Sequence, residues 1–276
     1  MADAQPNWLI QNNPRIAAVG ATVATLGALV AMLSGPLYQA QVLGLFPAFT
    51  ALRWGAYAAA AGGGVSLMSL LISLGVHKGA AFGRSSVALV GIIIGALAAY
   101  VPSSARGNYP PIHDVTTDME NPPAFVDAIP LRAAHPFFNG DGKHNPPEYV
   151  RDYPRPGPNG GTLNVPELQK KSFPDIEPVK LDAPPAEAFA KALDTVKKLK
   201  WTVISAKPEE GRIEAWDKTG WFGFVDDVVI RVQADGAGSR IDIRSVSRIG
   251  FGDVGKNGKR IRGYVKKLTG KGGHGG

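Results

Sequence analysis

The stretch "FVDDVVIRVQADGAGSRIDIRSVSRIG", Phe224–Gly250, decides the fold of the C-terminal part of the chain. A β-branched run alternates with charged residues, breaks at Asp-Gly-Ala-Gly, and resumes with the same period of two. That pattern predicts two antiparallel strands joined by a tight turn. Alternation sends Val228, Ile230 and Val232 to one face, with Ile241, Ile243, Ser245 and Ser247. Asp227, Arg231, Asp242, Arg244 and Arg248 share the opposite face with Val229. They predict a cross-strand ladder of opposite charges, each pair contributing a few tenths to about 1 kcal/mol. Asp226 is the exception, aimed at the core side near Ser245 or Ser247. A carboxylate there has to be paired or hydrogen-bonded, and basic residues entering the last helix are the expected partners.

The flanking sequence extends the pattern. "APPAEAFAKALDTVKKLK" opens on prolines suited to a first helical turn and repeats Phe189, Ala192, Leu193, Val196 and Leu199 at helical spacing. "WTVISAKP" and "GRIEAWDK" read as strands turning at "EEG", and "TGWFG" is an aromatic corner leading into the Phe224 strand. The final helix is expected to be capped by Asp253 and to bury Val254, Ile261, Val265 and Leu268. From Val179 the predicted order is β-α-β-β-β-β-α. This is an α+β domain, an antiparallel sheet with helices on one face, close to a small helix-grip fold.

The first hundred residues have another character. Between residues 1 and 101 the charged residues are Asp3, Arg15, Arg53, Lys78 and Arg84. Three apolar runs, Ile16–Leu37, Trp54–Val76 and Ser85–Val101, approach the roughly 20 residues that cross a bilayer and predict three spans. Their small residues, including "AAAAGGGVS" and the Gly91/Gly95 pair, suit close helix packing in lipid. The first run reads as a retained helix, because it is too long for a signal h-region and no small-residue cleavage site follows it. Basic residues near the helix ends stand three (Arg15, Lys78, Arg84) against two (Arg53, Arg106). That bias places the N-terminus in the cytoplasm and the C-terminal domain outside it. Residues 102–178 hold fifteen of the 22 prolines. This density disfavours long helices and central strands and predicts a linker that wraps the domain. The expected organisation is therefore 1–101 anchor, 102–178 linker, 179–276 folded domain with a basic last helix and a disordered tail.

Several chemistries are excluded or disfavoured. The chain has no cysteine, so disulfides, thiolate nucleophiles and cysteine-ligated metals are absent. His113, Asp114, Asp118, Glu120, His135 and His144 fit no metal-ligand spacing and read as loop residues, so no metal and no cofactor are expected. Asp226 and Asp227, being adjacent on a strand, face opposite ways and do not converge on a substrate atom. No nucleophile–base pair and no phosphate-binding glycine loop accompanies them.

The pattern Phe224, Asp226, Asp227, then Arg244, Ser245, Ser247, Arg248, Gly250, then Asp253, Gly255, Asn257, Arg260 and Ile261 resembles the bacterial and plastid family named for domain of unknown function 1499. The likeness covers roughly residues 120–268. The chain lacks the "CPSSPNCVSS"-like signature of many members and carries "PIHDVTTDMENPPAF" instead, similar to a membrane-anchored proteobacterial subgroup. The resemblance implies a bacterial inner-membrane protein and no assigned chemistry. The expected function is a non-catalytic periplasmic module that contacts an envelope protein or anionic lipid. Lys256, Lys259, Arg262, Lys266 and Lys267 are the lipid-surface candidates. Nucleic acid is not an expected partner. The alternative is a small-ligand carrier or hydrolase with a cavity between sheet and helix near Trp221, Phe222 and Asp226.

Overall fold

The computed structural model describes residues 8–76, 93, 109–133, 145–154, 161–250 and 252–270. The chain forms two compact units, Met1–Gly107 and Asn108–Gly276.

In the first unit, helices α1 (Trp8–Gln39) and α2 (Leu45–Val76) pack as an antiparallel hairpin. Both are long and apolar enough to cross a membrane. Small residues set their approach. A Cβ added at Gly62 would lie 2.4 Å from the Ala24 nitrogen, and one at Gly55 would lie 2.6 Å from that of Ala31. Side chains larger than hydrogen at these crossings would push the backbones apart. Near one end Asn13 donates to Ser73 Oγ at 2.7 Å and accepts from Ser69 Oγ at 2.5 Å. Of the three spans expected, the described residues contain two membrane-capable helices. Of the third apolar run only Ile93 is described, in helical conformation. The rest of it, with Gly91 and Gly95, lies outside the described residues, as do His135 and His144.

The second unit is built on a six-stranded antiparallel sheet. Its strands are β1 (Asp114–Thr116), β4 (Val179–Leu181), β5 (Thr202–Lys207), β6 (Arg212–Lys218), β7 (Val225–Asp235) and β8 (Gly238–Ser247). The order is β1-β8-β7-β6-β5, and β4 pairs beside β1 along the same edge of β8. A separate two-stranded sheet joins β2 (Asp152–Pro154) to β3 (Thr162–Asn164). The β7–β8 hairpin forms as its alternation predicts, with Asp235 opposite Gly238 and Gly236 at φ 61 in the turn. β7 is buried on both faces over Val225–Ile230, which is why it is so rich in β-branched residues.

One face of the sheet carries the main core. Val228, Ile230, Val232, Ile241, Ile243, Ile213 and Ala215 pack against Ala188, Phe189, Ala192 and Val196 of α5 (Pro185–Lys198) and Ile261, Tyr264 and Leu268 of α6 (Lys256–Thr269). Trp201 stacks on Tyr264 at 5.5 Å, and the Tyr264 hydroxyl donates to Ala192 O. The opposite face has a small apolar cluster of Val229, Val246, Phe125 and Ala128, with Ile204 at its margin. Phe125 and Ala128 come from the proline-rich segment, which lies across this face and contains the short helix α3 (Ala128–Ala133). The expectation of helices on one face is thus corrected, because the second face is covered too.

The proline-rich segment also supplies β1, whose free edge is closed by a side chain. Gln169, in α4 (Val165–Ser172), accepts from Thr116 N at 3.0 Å and donates to Thr116 O at 2.6 Å. A primary amide offers the same donor and acceptor as a peptide group, so it stands in for a further strand. His113 and Asp114, read from sequence as loop residues, are buried, and His113 packs edge-on against Tyr153 at 4.6 Å.

Candidate functional site

The acid pair at the start of β7 organises the domain by pointing both ways. On the helix side, Asp226 lies opposite Ser247 and its Oδ2 accepts from Arg260 Nη2 at 2.6 Å. The same guanidinium donates to Asp217 at 2.9 Å and to Asn257 Oδ1 at 2.6 Å. Asn257 accepts from Ser245 Oγ at 2.6 Å and donates to His113 O at 2.9 Å and Ser247 Oγ at 3.0 Å. Alternation aimed Asp226 and both serines inward, and the last helix delivers the arginine that answers them.

Asp253 completes this cluster. Gly255 occupies the N-cap position of α6, at φ 74, and not Asp253. The Asp253 carboxylate still accepts from Gly255 N at 2.8 Å and Asn257 N at 2.5 Å. Burial pushes its carboxyl up to about 6, and the nearby Asp226 charge adds to the rise against the opposing pull of those backbone N–H groups and Arg260. Val254, expected on the buried face, is instead 47% exposed at φ 54. The helix begins only at Lys256, so the helical spacing from Val254 to Ile261 does not apply. Tyr264, which the spacing argument missed, is the aromatic centre of the buried face.

On the other face, Asp227 is fully buried between two arginines. Arg132 Nη1 donates to it at 2.6 Å, and Arg248 donates through Nε at 3.0 Å and Nη2 at 2.8 Å. Arg132 also donates to Asn145 O at 2.7 Å. The predicted ladder holds in part. Arg231 and Asp242 stand opposite each other and pair at 2.9 Å, and Arg240 and Asp118 extend the group. Arg244 does not join it. Its guanidinium forks onto Asp114, with Nε at 3.0 Å and Nη2 at 2.6 Å, between the rings of Phe125 and Tyr149 at 5.2 and 5.5 Å. Forked geometry and aromatic faces are what distinguish arginine from lysine here.

Glu214 was not foreseen. From the middle of β6 its carboxylate accepts from Val126 N at 2.8 Å, Asp127 N at 3.2 Å and Ala128 N at 2.7 Å, and it pairs with Arg212. It therefore caps the start of α3 from another element. Anionic oxygen at unsatisfied helix N–H groups is favourable. Asp127 accepts in turn from Ser205 and Arg212, both at 2.7 Å, and these bonds hold its carboxyl below the usual range.

The aromatic corner is a tight loop. Thr219 and Phe224 close it through backbone and side-chain bonds at 2.8 Å, with Gly223 at φ 69. Phe222 is buried and stacks on Phe224 at 5.3 Å, whereas Trp221 packs edge-on against Phe222 and is 44% exposed. Trp221 and Asp226 lie at the same end of β7, but the Asp226 carboxylate turns into the helix side. Lys256, Lys259, Arg262, Lys266 and Lys267 are exposed along α6. Lys259 lies over the Tyr109 ring at 4.7 Å, and Arg262 pairs with Asp175 at 2.6 Å over the Phe173 ring.

Among the described residues, no group of three or more His, Asp or Glu side chains is placed to hold a metal ion. The buried acids of the domain, Asp114, Glu214, Asp226, Asp227 and Asp242, each accept from an arginine of the same domain. Such an arrangement ties elements of the domain together. Comparison with curated proteins returns no match. Residues 114–268, more than half of the chain and including every strand of the six-stranded sheet, match the family described as protein of unknown function (DUF1499), and the chain belongs to that family.

Proposed function

We propose that the protein is a membrane-anchored, non-catalytic interaction module, with its C-terminal domain held on the periplasmic side of a bacterial inner membrane to contact an envelope protein or anionic lipid. The observation that carries the non-catalytic reading is the fate of the acid pair. Asp226 staples the last helix to the sheet and Asp227 staples the proline-rich segment to the other face. Both carboxylates are engaged by arginines, so neither is placed to exchange a proton with a bound substrate.

The anchor follows from α1 and α2. A hairpin of two spans returns the chain to the side on which it began. The third apolar run, Ser85–Val101, is what would carry it across once more and separate the domain from the N-terminus. Arg15, Lys78 and Arg84 then lie on the cytoplasmic side. The test is a pair of fusions after Gly276, one to alkaline phosphatase and one to green fluorescent protein. Active phosphatase with a dark fluorophore is the expected result. A bright fluorophore with inactive phosphatase overturns the periplasmic location and moves the domain to the cytoplasmic leaflet.

A further inference from the structure

Four pieces of the domain meet at one end of the sheet. Lys218 pairs with Val225 across the β6–β7 corner, Asp226 pairs with Ser247, and Arg248 N donates to Val225 O at 3.0 Å where the β8–α6 loop departs. β1 starts at this end as well, with Asp114 opposite Val246. Tyr109, from the proline-rich segment, lies at this end too. The ring of Tyr109 lies so close to Gly255 that a Cβ there would come within 2.2 Å of it.

Two large apolar side chains are held outward at this end, Trp221 from the corner and Val254 from the loop. Val254 is β-branched, and its φ of 54 is a conformation such residues rarely adopt. Glycine or asparagine would take that backbone more easily. An exposed, strained valine therefore has its use against something outside the domain. Around the two apolar groups the outward charge is positive, from Lys218 and Lys256. The acids on the same elements are turned away, Asp217 and Asp226 onto Arg260 and Asp253 onto the first turn of α6.

An indole and an aliphatic side chain, each with an exposed lysine nearby in sequence, match the boundary between headgroups and acyl chains of an anionic bilayer. We propose that this end of the domain is a membrane-seating tip, in which Trp221 and Val254 enter the headgroup region of an anionic bilayer while Lys218 and Lys256 contact lipid phosphates. The proposal rests on the membrane-anchored reading above and moves the lipid contact from the length of α6 to one end of the sheet. The occupant is a bilayer because the same chain carries α1 and α2, and because exposed apolar groups beside lysines complement an anionic headgroup boundary.

The absence of cysteine makes the test direct. Single cysteines are introduced into the full chain as G220C, V254C and, at the far end of the β7–β8 hairpin, A237C. A Cβ at Gly220 meets no atom within 4 Å, so that substitution leaves the corner intact. Each variant is spin-labelled and reconstituted into vesicles of phosphatidylcholine alone or mixed with phosphatidylglycerol. Collision with oxygen and with a soluble nickel chelate reports depth. In anionic vesicles the labels at G220C and V254C should lose nickel accessibility while A237C stays aqueous, and adding W221A or K218E/K256E should return G220C toward the aqueous value. Either tip label remaining aqueous in anionic vesicles, or the same accessibility in both lipids, overturns the tip. Alkaline carbonate separates the two levels. A chain retained by the vesicles with aqueous labels sinks the tip alone, whereas a chain extracted from them sinks the membrane-anchored reading.

Discussion

The two faces of the central sheet are held by different physics. Toward α5 and α6 the contacts are mainly aliphatic and aromatic, with one polar cluster around Arg260. Toward the proline-rich segment the apolar contact is small, and Asp114, Asp118, Asp127, Asp227, Asp242 and Glu214 meet four arginines from the sheet, Arg248 just beyond β8 and Arg132 from the segment. Apolar burial is non-directional and tolerates small shifts, at roughly 25 cal/mol per Å². Buried ion pairs are demanding. They stabilise only when every partner is present, and losing one leaves an uncompensated charge. A proline-rich segment cannot bury a continuous helical stripe, so directional charge contacts are what can fix it in a single position.

The charged face is most sensitive at Asp227. Asp227→Ala leaves Arg132 and Arg248 buried without their counter-charge, and urea unfolding of the full chain in detergent should show a loss of about 3–5 kcal/mol. From the same strand but the other face, Ile230→Val should cost about 0.5–1.5 kcal/mol. The opposite ranking would mean that the charged face contributes little. Arg244→Lys keeps the charge but loses the fork onto Asp114 and the contact between two rings. A loss of about 1.5–3 kcal/mol is expected from the charged hydrogen bonds, and an unchanged midpoint would show that charge alone suffices there.

Asp253 makes the helix side depend on pH. Its folded value near 6 lies above the ordinary 3.8. The protonated form is therefore favoured by folding, and this contribution is fully present below 3.8 and lost as pH rises through about 6. The effect is on the order of 1–2 kcal/mol once edge solvation is allowed for. Asp253→Asn keeps an acceptor for the α6 N–H groups and should flatten the stability profile between pH 4 and pH 6. A profile as steep as that of the parent would assign the pH dependence elsewhere. The smallest effect is expected at Trp221. Trp221→Ala should change stability by no more than about 0.5 kcal/mol, as for exposed positions in general, and a larger loss would make the indole part of the core.

How much of this was legible in the sequence depended on the range of each contact. The β7–β8 hairpin, the inward turn of Asp226 and the β-α-β-β-β-β-α order were written in local periodicity, which a two-residue or helical repeat exposes directly. The partner of Arg244 was not, because Asp114 lies 130 positions away on a three-residue strand too short to show a period. Arg132 and Glu214 were missed for the same reason, since their partners are set by how the proline-rich segment crosses the sheet. Val254 was misread by a correct rule applied one turn too early, before the helix starts at Lys256. The lysines of α6 were visible as charge, but only the fold shows that Lys259 and Arg262 are engaged by rings and by Asp175.

Two adjacent aspartates staple two different layers to one sheet. Amide hydrogen exchange on the full chain in detergent, comparing Asp226→Ala with Asp227→Ala, tests this division. Asp226→Ala should raise exchange at the start of α6, around Asn257 and Arg260, and leave residues 117–133 protected. Asp227→Ala should do the reverse, exposing 117–133 and sparing α6. Loss of protection at the same residues in both variants, or in neither, would contradict it.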